Sequence, residues 1–474
     1  MRKTKIIATI GPQTRSPANL RRLIDVGCNV IRINMSHSSQ EEAAGIIADV
    51  RTISDRVAIL LDTKGPEIRT TVVDAPVTLE VGAAVRVRGE LGTTTAEVVR
   101  VTYAGLPRAL EDGTRILLAD GQIMLEVERI ALDELHCRVV KGGVLGSKKG
   151  VNIPGVRIPM PFMSAQDASD IRFGVRHQVD FIAASFVNEA DDVRQIRELV
   201  TAEGGDIAIV SKIESRYAVK NLDEIIAVSE GLMVARGDLG VELPIEQVPV
   251  VQKRIIDECR TAGRTVIVAT EMLESMIKNP RPTRAETSDV ANAIFEGADA
   301  VMLSGETSVG AHPFEAVAVM GRIARIAEAE TARRADRLPG GARASEVSEL
   351  MCKAAWLAAR ELNVAAILVP TSSGRTAMRM SRFRPSAPIL ATTPDMAVAR
   401  RLALSFGVFA LPSRHFGRME NMIRRSCQLM VEAGMLKKTD VIAVICGVPV
   451  GHSGNTNLLT LQPVDSLIGR GAEG

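Results

Sequence analysis

Two polar stretches each close an apolar run in the middle of the chain. Ser211-Lys212-Ile213-Glu214 follows Ile207–Val210, and Ala235-Arg236-Gly237-Asp238 follows Leu232–Val234. Such short β-branched runs read as buried parallel strands. Side chains alternate along a strand, so Lys212 and Glu214 share a face while Ile213 takes the other. If the two strands are neighbours, about 4.8 Å apart, Glu214 and Asp238 can share one divalent cation with the Lys212 ammonium beside it. That combination suits chemistry in which negative charge moves off a phosphorylated substrate. Charged residues ending core strands also serve as plain polar caps, so the two stretches need their context.

The context is a series of eight such runs: Ile6–Ile10, Val30–Ile33, Ala58–Leu61, Phe181–Ala184, Ile207–Val210, Leu232–Val234, Val266–Ala269 and Ala300–Leu303. Helical spacing of Leu, Ile and Val fills Pro17–Val26, Asp191–Val200 and Ile245–Arg260 between them. Alternation of this kind predicts an α/β fold with a parallel sheet, and eight units favour a closed (β/α)8 barrel over an open sheet. The carboxyl ends of the runs are polar: Thr9, Asn34 and Ser36, Asp62 and Thr63, Ser185, Lys212 and Glu214, Arg236 and Asp238, Thr270 and Glu271, and Ser304, Glu306 and Thr307. Barrel active sites are assembled at that end from several strands. Arg32, Asn34 and Ser36, two apart, are expected on one inward face, with Arg32 offering a fork for phosphate or carboxylate and Arg69 a second. Asn34, Ser36, Asp62 and Thr63 supply several oxygens but one charge. The set fits either a weakly charged hard cation or a hydrogen-bond network around Asp62. His37 is the histidine expected nearest the site.

The third unit is interrupted. From about residue 70 to 154 short alternating runs with frequent Gly and Thr predict an inserted, mostly antiparallel β domain, either a lid over the catalytic end or an inert decoration. Ser147-Lys148-Lys149-Gly150 near its exit could reach phosphates. The barrel is thus expected over 1–69 and 155–335. A polar linker, Thr331–Glu346, leads to a separate open-sheet α/β domain over 345–474. There Thr371-Ser372-Ser373-Gly374-Arg375-Thr376 joins a strand to a helix, as an anion site or an ordinary capped turn.

The bulk numbers exclude several classes. The chain has 474 residues, 46% hydrophobic and 24% charged, with a formal charge of +2 and aromatics at 3%. Neither the charge nor the aromatic content supports a nucleic-acid partner. The six cysteines have no paired spacing for zinc or redox work. No run is long enough for a membrane span, and Met1 leads directly into a strand rather than a signal peptide, so the expected location is the cytoplasm. Neither a Walker A loop nor a protein-kinase motif set is present, which leaves the barrel rim as the seat of any phosphoryl transfer.

At these residues the chain resembles the pyruvate kinase family across its length. The resemblance is carried by Ala8–Pro12, Arg32–His37, Leu61–Arg69, Gly146–Asn152, Ser211–Glu214, Met233–Glu242, Pro282–Glu286 and Met302–Thr307. It implies a (β/α)8 (TIM) barrel with a small inserted β-barrel lid and a C-terminal α/β domain. The implied reaction transfers the phosphoryl group of phosphoenolpyruvate to ADP. It further implies Mg²⁺ (or Mn²⁺ in its place) on Glu214 and Asp238, and K⁺ on Asn34, Ser36, Asp62 and Thr63. Glu67 is the residue type of K⁺-dependent members. Lys212 resembles the lysine that stabilises the phosphoryl group in flight, Arg32 and Arg69 resemble phosphate-gripping arginines, and Thr307 resembles the threonine implicated in enolate protonation. The backbone of Ala235, Arg236 and Gly237, with Thr270, would meet the substrate carboxylate. Thr9, Asn34, His37, Arg69 and Lys149 fall where the family contacts nucleotide. Thr371 to Thr376 matches a loop that grips a phosphorylated effector in regulated members, and Gly451 to Asn457 matches a second effector loop in part. A homotetramer is implied as well. Departures are Ser215-Arg216-Tyr217-Ala218 after Glu214, Glu271 for the usual Gln, and Thr71 for a common Gly. Two other functions compete with this one. A barrel lyase could use the same metal to stabilise an enolate, but it leaves the insertion and the monovalent-cation set unexplained. A catalytically silent sensor would be expected to have lost Lys212, Glu214 or Asp238.

Overall fold

In the computed structural model, residues 1–131, 133–334, 346–449 and 455–469 are described. Most of the stretch read as a linker, and Gly451 to Gly454 of the partly matching effector loop, lie outside the described residues. Eight parallel strands close a barrel: β1 (Lys5–Thr9), β2 (Val30–Asn34), β3 (Ala58–Asp62), β4 (Phe181–Ala184), β5 (Ala208–Ile213), β6 (Gly231–Ala235), β7 (Thr265–Ala269) and β8 (Ala300–Leu303). Each pairs with its sequence neighbour, and β1 closes on β8 through Lys5↔Ala300 to Ala8↔Leu303.

Strand parity decides what fills the barrel. Ile7, Val30, Ala58, Leu60, Phe181, Ala183, Ala208, Val210, Met233 and Ile267 form the interior cluster. The alternate residues, such as Ile6, Ile31, Ile59, Ile182 and Ile209, pack outward against the helices. The inward parity carries on past the apolar layers to Thr9, Arg32, Asp62 and Lys212, so the polar residues continue the interior columns at the carboxyl end.

Between β3 and β4 the inserted segment forms its own core. A curled six-stranded sheet runs in the order Val151–Asn152, Arg115–Leu118, Ile123–Ala131, Glu134–Lys141, Ala84–Arg88, Val98–Arg100. A two-stranded ribbon pairs Gly143–Leu145 with Val77–Leu79. All ladders are antiparallel except Ala84–Arg88 with Val98–Arg100. Entry and exit strands are stitched together. Arg69 bridges Gly150, the Thr70 N–H donates to the Lys149 carbonyl at 2.8 Å, and the Val151 N–H donates to the Ile68 carbonyl at 2.9 Å.

The C-terminal sheet has four parallel strands, β9 (Ala366–Pro370), β10 (Ile389–Thr393), β11 (Val408–Pro412) and β12 (Val441–Cys446). The antiparallel β13 (Leu458–Pro463) completes it in the order β11-β10-β9-β12-β13. This unit docks on the amino-terminal end of the barrel. Leu404, 1% exposed, joins the barrel's interior cluster with Ala403 packed behind it. Around that plug the Lys5 ammonium donates to the Val408 carbonyl and lies 4.5 Å from the centre of the Phe409 ring. Arg400 pairs with buried Asp180 at 2.6 Å, and Arg384 pairs with Asp299 at 2.7 Å. Asp180 and Asp299 immediately precede β4 and β8, so both ion pairs sit on the barrel floor.

Candidate active site

The residues at the carboxyl end of β1 to β5 form one connected network. Register sets Thr9 beside Arg32 and Asn34 beside Asp62. The Arg32 Nε donates to Asp62 Oδ2 at 2.7 Å, and its Nη1 donates to Thr9 Oγ1 at 2.9 Å. Lys212 Nζ reaches Glu214 Oε1 at 2.9 Å, Asp62 Oδ1 at 3.3 Å and Ser185 Oγ at 2.7 Å. Ser185 in turn donates to the Thr63 carbonyl at 2.7 Å. Glu214 takes a further hydrogen bond from the Phe186 backbone N–H at 2.6 Å.

Burial and charge pull on these groups in opposite senses. Burial alone would push the Lys212 ammonium down, yet Asp62 and Glu214 outweigh it and hold the lysine above its ordinary range. Asp62 also pays for desolvation, but Arg32 and Lys212 keep it ionised and below the usual carboxylate range. Burial pushes Glu214 up to about 7, with Lys212 opposing and Asp238 reinforcing. Asp238 is raised as well, again chiefly by burial. Two neighbouring carboxylates, both raised chiefly by burial, gain from an added cation. Among the described residues no group of three or more His, Cys, Asp or Glu side chains could hold a metal by itself. A cation here would take its remaining ligands from substrate and water.

Several expectations need correction in detail. Asp238 does not end a strand: β6 stops at Ala235, and Asp238 lies in the first turn of the helix Arg236–Glu242. Ser36 does not continue the inward column of β2 either, because the strand ends at Asn34 and the chain turns there. The Ser36 N–H donates to Asn34 Oδ1 at 3.1 Å. Arg69 does not join Arg32. It makes a double contact with Glu67, at 2.6 and 2.8 Å, and donates to the Lys148 carbonyl at 2.7 Å, inside the hinge of the inserted domain. The Arg236 side chain stays outside the Lys212 network, pairing with Asp289 at 2.7 Å and donating to the Thr270 carbonyl at 2.7 Å. Lys149 and His37 are exposed, and neither is drawn into the Lys212 network. Thr307 is fully buried, with its hydroxyl donating to the Thr9 carbonyl at 2.9 Å.

Thr270 accepts the Gly237 N–H at 2.8 Å. Thr270 and Glu271 both have positive φ, 68° and 54°, a conformation L-residues rarely hold without a surrounding scaffold. The clamp from Arg236 to the Thr270 carbonyl is part of that scaffold. A cavity of about 180 Å³ runs from Asp238 and Glu242 to Asp120, Gly150 and Asn152 of the inserted domain. The departures after Glu214 serve this junction. Ser215 caps the helix Arg216–Lys220 by accepting the Ala218 N–H at 3.0 Å, and the Tyr217 hydroxyl donates to the Gly155 carbonyl at 3.3 Å.

Sequence reading missed the positioning roles of Ser185, Phe186 and Glu306. Ser185 stands out as a polar residue right after a strand, which was its one signal. Glu306 is 1% exposed and accepts the Ser304 and Leu273 N–H groups at 2.7 and 3.0 Å, tying the ends of β8 and β7 together. Nothing in its spacing marks it apart from neighbouring Thr307. In the C-terminal domain, Thr371 Oγ1 accepts the Gly374 N–H at 3.0 Å, and Thr376 shares a hydroxyl contact with Thr456 at 2.7 Å. Gly374, at φ 78°, begins the helix Arg375–Ser381, and a Cβ there would press on Val398 and Leu402.

Residues 1–317 match the family model described as pyruvate kinase, barrel domain, and residues 349–462 match pyruvate kinase, alpha/beta domain. The chain belongs to the pyruvate kinase family. Among curated relatives, the pyruvate kinase of Geobacillus stearothermophilus is 45% identical over 480 residues, covering 99% of this chain and 82% of the relative. That of Clostridium acetobutylicum is 43% identical over 476 residues, covering 98% of this chain and the whole of the relative. The pyruvate kinase from Bacillus licheniformis is 44% identical over 480 residues, with 99% of this chain covered and 82% of the relative. The barrel, the curled insertion and the terminal α/β domain are the architecture of this pyruvate kinase family member. No helix among the described residues is long and apolar enough to cross a membrane.

Proposed function

We propose that the chain moves the phosphoryl group of phosphoenolpyruvate onto ADP, releasing pyruvate and ATP in glycolysis. The observation that carries this reading is the Lys212 ammonium, buried and held between Asp62, Glu214 and Ser185 with the Arg32 guanidinium across Asp62. In the reaction the ester P–O bond of phosphoenolpyruvate breaks and a P–O bond to the terminal oxygen of ADP forms. The enolate left behind takes a proton on carbon. Lys212 is fixed where it can follow the charge from phosphoryl oxygens to enolate, and Arg32 grips the phosphate. Glu214 and Asp238 would hold Mg²⁺ or Mn²⁺, which when bound supplies positive charge to the phosphoryl and enolate oxygens. Asn34, Ser36, Asp62 and Thr63 would hold K⁺, one carboxylate among neutral oxygens. The backbone from Ala235 to Gly237 and the Thr270 hydroxyl would orient the substrate carboxylate. Thr307, beneath Thr9, would reach the enolate only through an intervening group such as water.

The inserted domain would bring Lys149 to the nucleotide side, with Arg69 from the hinge and Thr9, Asn34 and His37 from the barrel. The domains correspond to residues 1–69 with 155–335, 70–154, and 345–474. A cytoplasmic homotetramer, with Thr371 to Thr376 as a phosphorylated-effector loop, completes the proposal. The test is ADP-dependent pyruvate formation from phosphoenolpyruvate. Lys212→Met abolishes it and Asp238→Asn severely weakens it, whereas full turnover in the Lys212 variant refutes the assignment. Replacing K⁺ by tetramethylammonium cuts the rate strongly, and unchanged turnover refutes the monovalent-cation set. Pyruvate released at the same rate without ADP would point to a lyase instead.

A further inference from the structure

The four residues proposed to hold K⁺ come from two turns. Asn34 and Ser36 belong to the turn that leads from the end of β2 to the helix Gln40–Ile53, and Asp62 and Thr63 to the end of β3 and the turn after it. Both turns are tied to the helix Ala165–Arg176, the first after the inserted domain. From the first turn, Gln40 Nε2 donates to Asp170 Oδ1 at 2.7 Å and to Ser169 Oγ at 3.0 Å. From the second, the Gly65 N–H donates to Asp167 Oδ1 at 3.0 Å. Asp167 and Asp170 are three residues apart and share one face of that helix.

Both carboxylates are buried, at 3% and 1% exposure, where polar groups are costly to keep. Helix capping accounts for one oxygen of the four. Asp167 Oδ2 completes a capping box, accepting the Ser164 N–H at 3.2 Å and its hydroxyl at 2.5 Å, which leaves Oδ1 for Gly65. Asp170 lies outside that box. Gln166 adds a hydrogen bond to its Oδ1 at 2.9 Å, and its Oδ2 is buried without a partner among the described residues. Gly65 has no room to shift. Its φ is 74°, and a Cβ there would come within 2.8 Å of the Phe186 ring and 2.9 Å of the Ser185 Cβ. The second turn is thus pinned between Ser185–Phe186 on one side and Asp167 on the other. Within it the Thr63 N–H donates to the Ala183 carbonyl at 3.0 Å.

We propose that Asp167 and Asp170 are positioning residues that fix the spacing of the two turns and thereby set which monovalent cation the site prefers. Their role rests on the proposed ligation of K⁺ by Asn34, Ser36, Asp62 and Thr63. K⁺ and the smaller Na⁺ carry the same charge, so a set of mostly neutral oxygens separates them by how far those oxygens can close in. Two turns free to approach one another would shrink onto Na⁺. Two turns tied to one helix face keep the wider spacing. Neither aspartate is a ligand in this arrangement; each acts through the turn it holds.

Melting temperatures of the full chain titrated with K⁺ or Na⁺, with tetramethylammonium holding the ionic strength constant, give an apparent affinity for each ion without turnover. The parent should bind K⁺ more tightly than Na⁺. In Asp167→Ala, Asp170→Ala and Gln40→Ala that preference should fall about three- to tenfold, as expected for one lost hydrogen bond. Gln40 is only half-buried, so its variant keeps the test decisive if an aspartate variant fails to fold. Gln40→Ala added to Asp170→Ala should cost nothing more, since both break one contact. Asp170→Asn retains an acceptor oxygen and should keep the parent preference. So should Thr283→Ala, which loses a cap on a different helix. The K⁺ concentration that half-saturates pyruvate formation should rise in step with the lost affinity. An unchanged preference in all three alanine variants overturns the brace and leaves the cation ligands standing. A parent stabilised by neither ion relative to tetramethylammonium overturns both, and a parent indifferent between K⁺ and Na⁺ overturns the brace. An equal fall in Thr283→Ala overturns it too, as does a fall in Asp170→Asn without one in Gln40→Ala, because charge and not the tether would then decide.

Discussion

The role proposed for Lys212 depends on the groups that hold it. A free lysine samples many rotamers and sheds charge when buried, but here Asp62, Glu214 and Ser185 occupy its three donors. Ser185 is the neutral member of that set and donates onward to the Thr63 carbonyl, so it fixes position without changing the charge balance. Ser185→Ala should lower kcat by about ten- to a hundredfold, as loss of a positioning contact does, while the melting temperature barely moves. Steady-state rates beside a thermal melt check this, and an unchanged kcat removes Ser185 from the centre. Much of this centre was legible as strand parity. Arg32, Asp62, Lys212 and Glu214 continue inward columns that the apolar runs already define. The Lys148 contact of Arg69 was not legible, because that carbonyl meets it only once the two hinge strands cross.

Elements explain which quoted motifs are chemistry and which are carpentry. Pro282-Thr283-Arg284-Ala285-Glu286 carries part of the family resemblance, yet its residues form a capping box on the helix Arg284–Glu296. Glu286 accepts the Thr283 N–H at 2.7 Å and the Ser275 N–H at 2.7 Å, anchoring the loop after β7. Thr283→Ala is expected to destabilise the protein by about 1 kcal/mol and to leave kcat within about twofold, measured by denaturant unfolding and initial rates. Tyr217 is a different case, a residue outside the usual pattern that links the barrel to the exit of the inserted domain. Tyr217→Phe removes that hydrogen bond. It should loosen the hinge and shift the KM for ADP more than that for phosphoenolpyruvate, and equal shifts would argue against a role at the junction. The eight strands and the insertion were readable from periodicity and turn residues. The end of β2 at Asn34 was not, because alternation persists in sequence through Ser36 after the backbone has turned.

At the scale of the molecule, the barrel floor carries a titratable group far from the chemistry. Burial pushes Lys5 down to about 7, helped by Arg2 and opposed by Glu328 and Asp299. The unfolded chain keeps this lysine protonated to about 10.5. Above about pH 7 the unfolded state therefore binds more protons, and stability rises with pH. All six thiols are pushed up by burial in the folded chain, and unfolded cysteines are half ionised near about pH 8.5, so they pull the other way as that pH is approached. The thiols are common to the parent chain and Lys5→Met, so the melting temperature of the parent minus that of the variant should grow between about pH 7 and 8.5. A constant difference would place the effect elsewhere. Composition and periodicity are silent on this contact, since it pairs the first strand with residues some four hundred positions later.

Leu404 has a consequence for how the protein can be taken apart. Its side chain seals the interior of a barrel whose last strand ended a hundred residues earlier. Cutting the gene at the boundary suggested by the polar stretch would thus uncork the catalytic half and leave its innermost hydrocarbon open to water. About 2–3 kcal/mol of burial would vanish with that one leucine, together with the ion pairs of Asp180 and Asp299. The two halves look like separable modules on paper, but they would have to be made, folded and inherited as one.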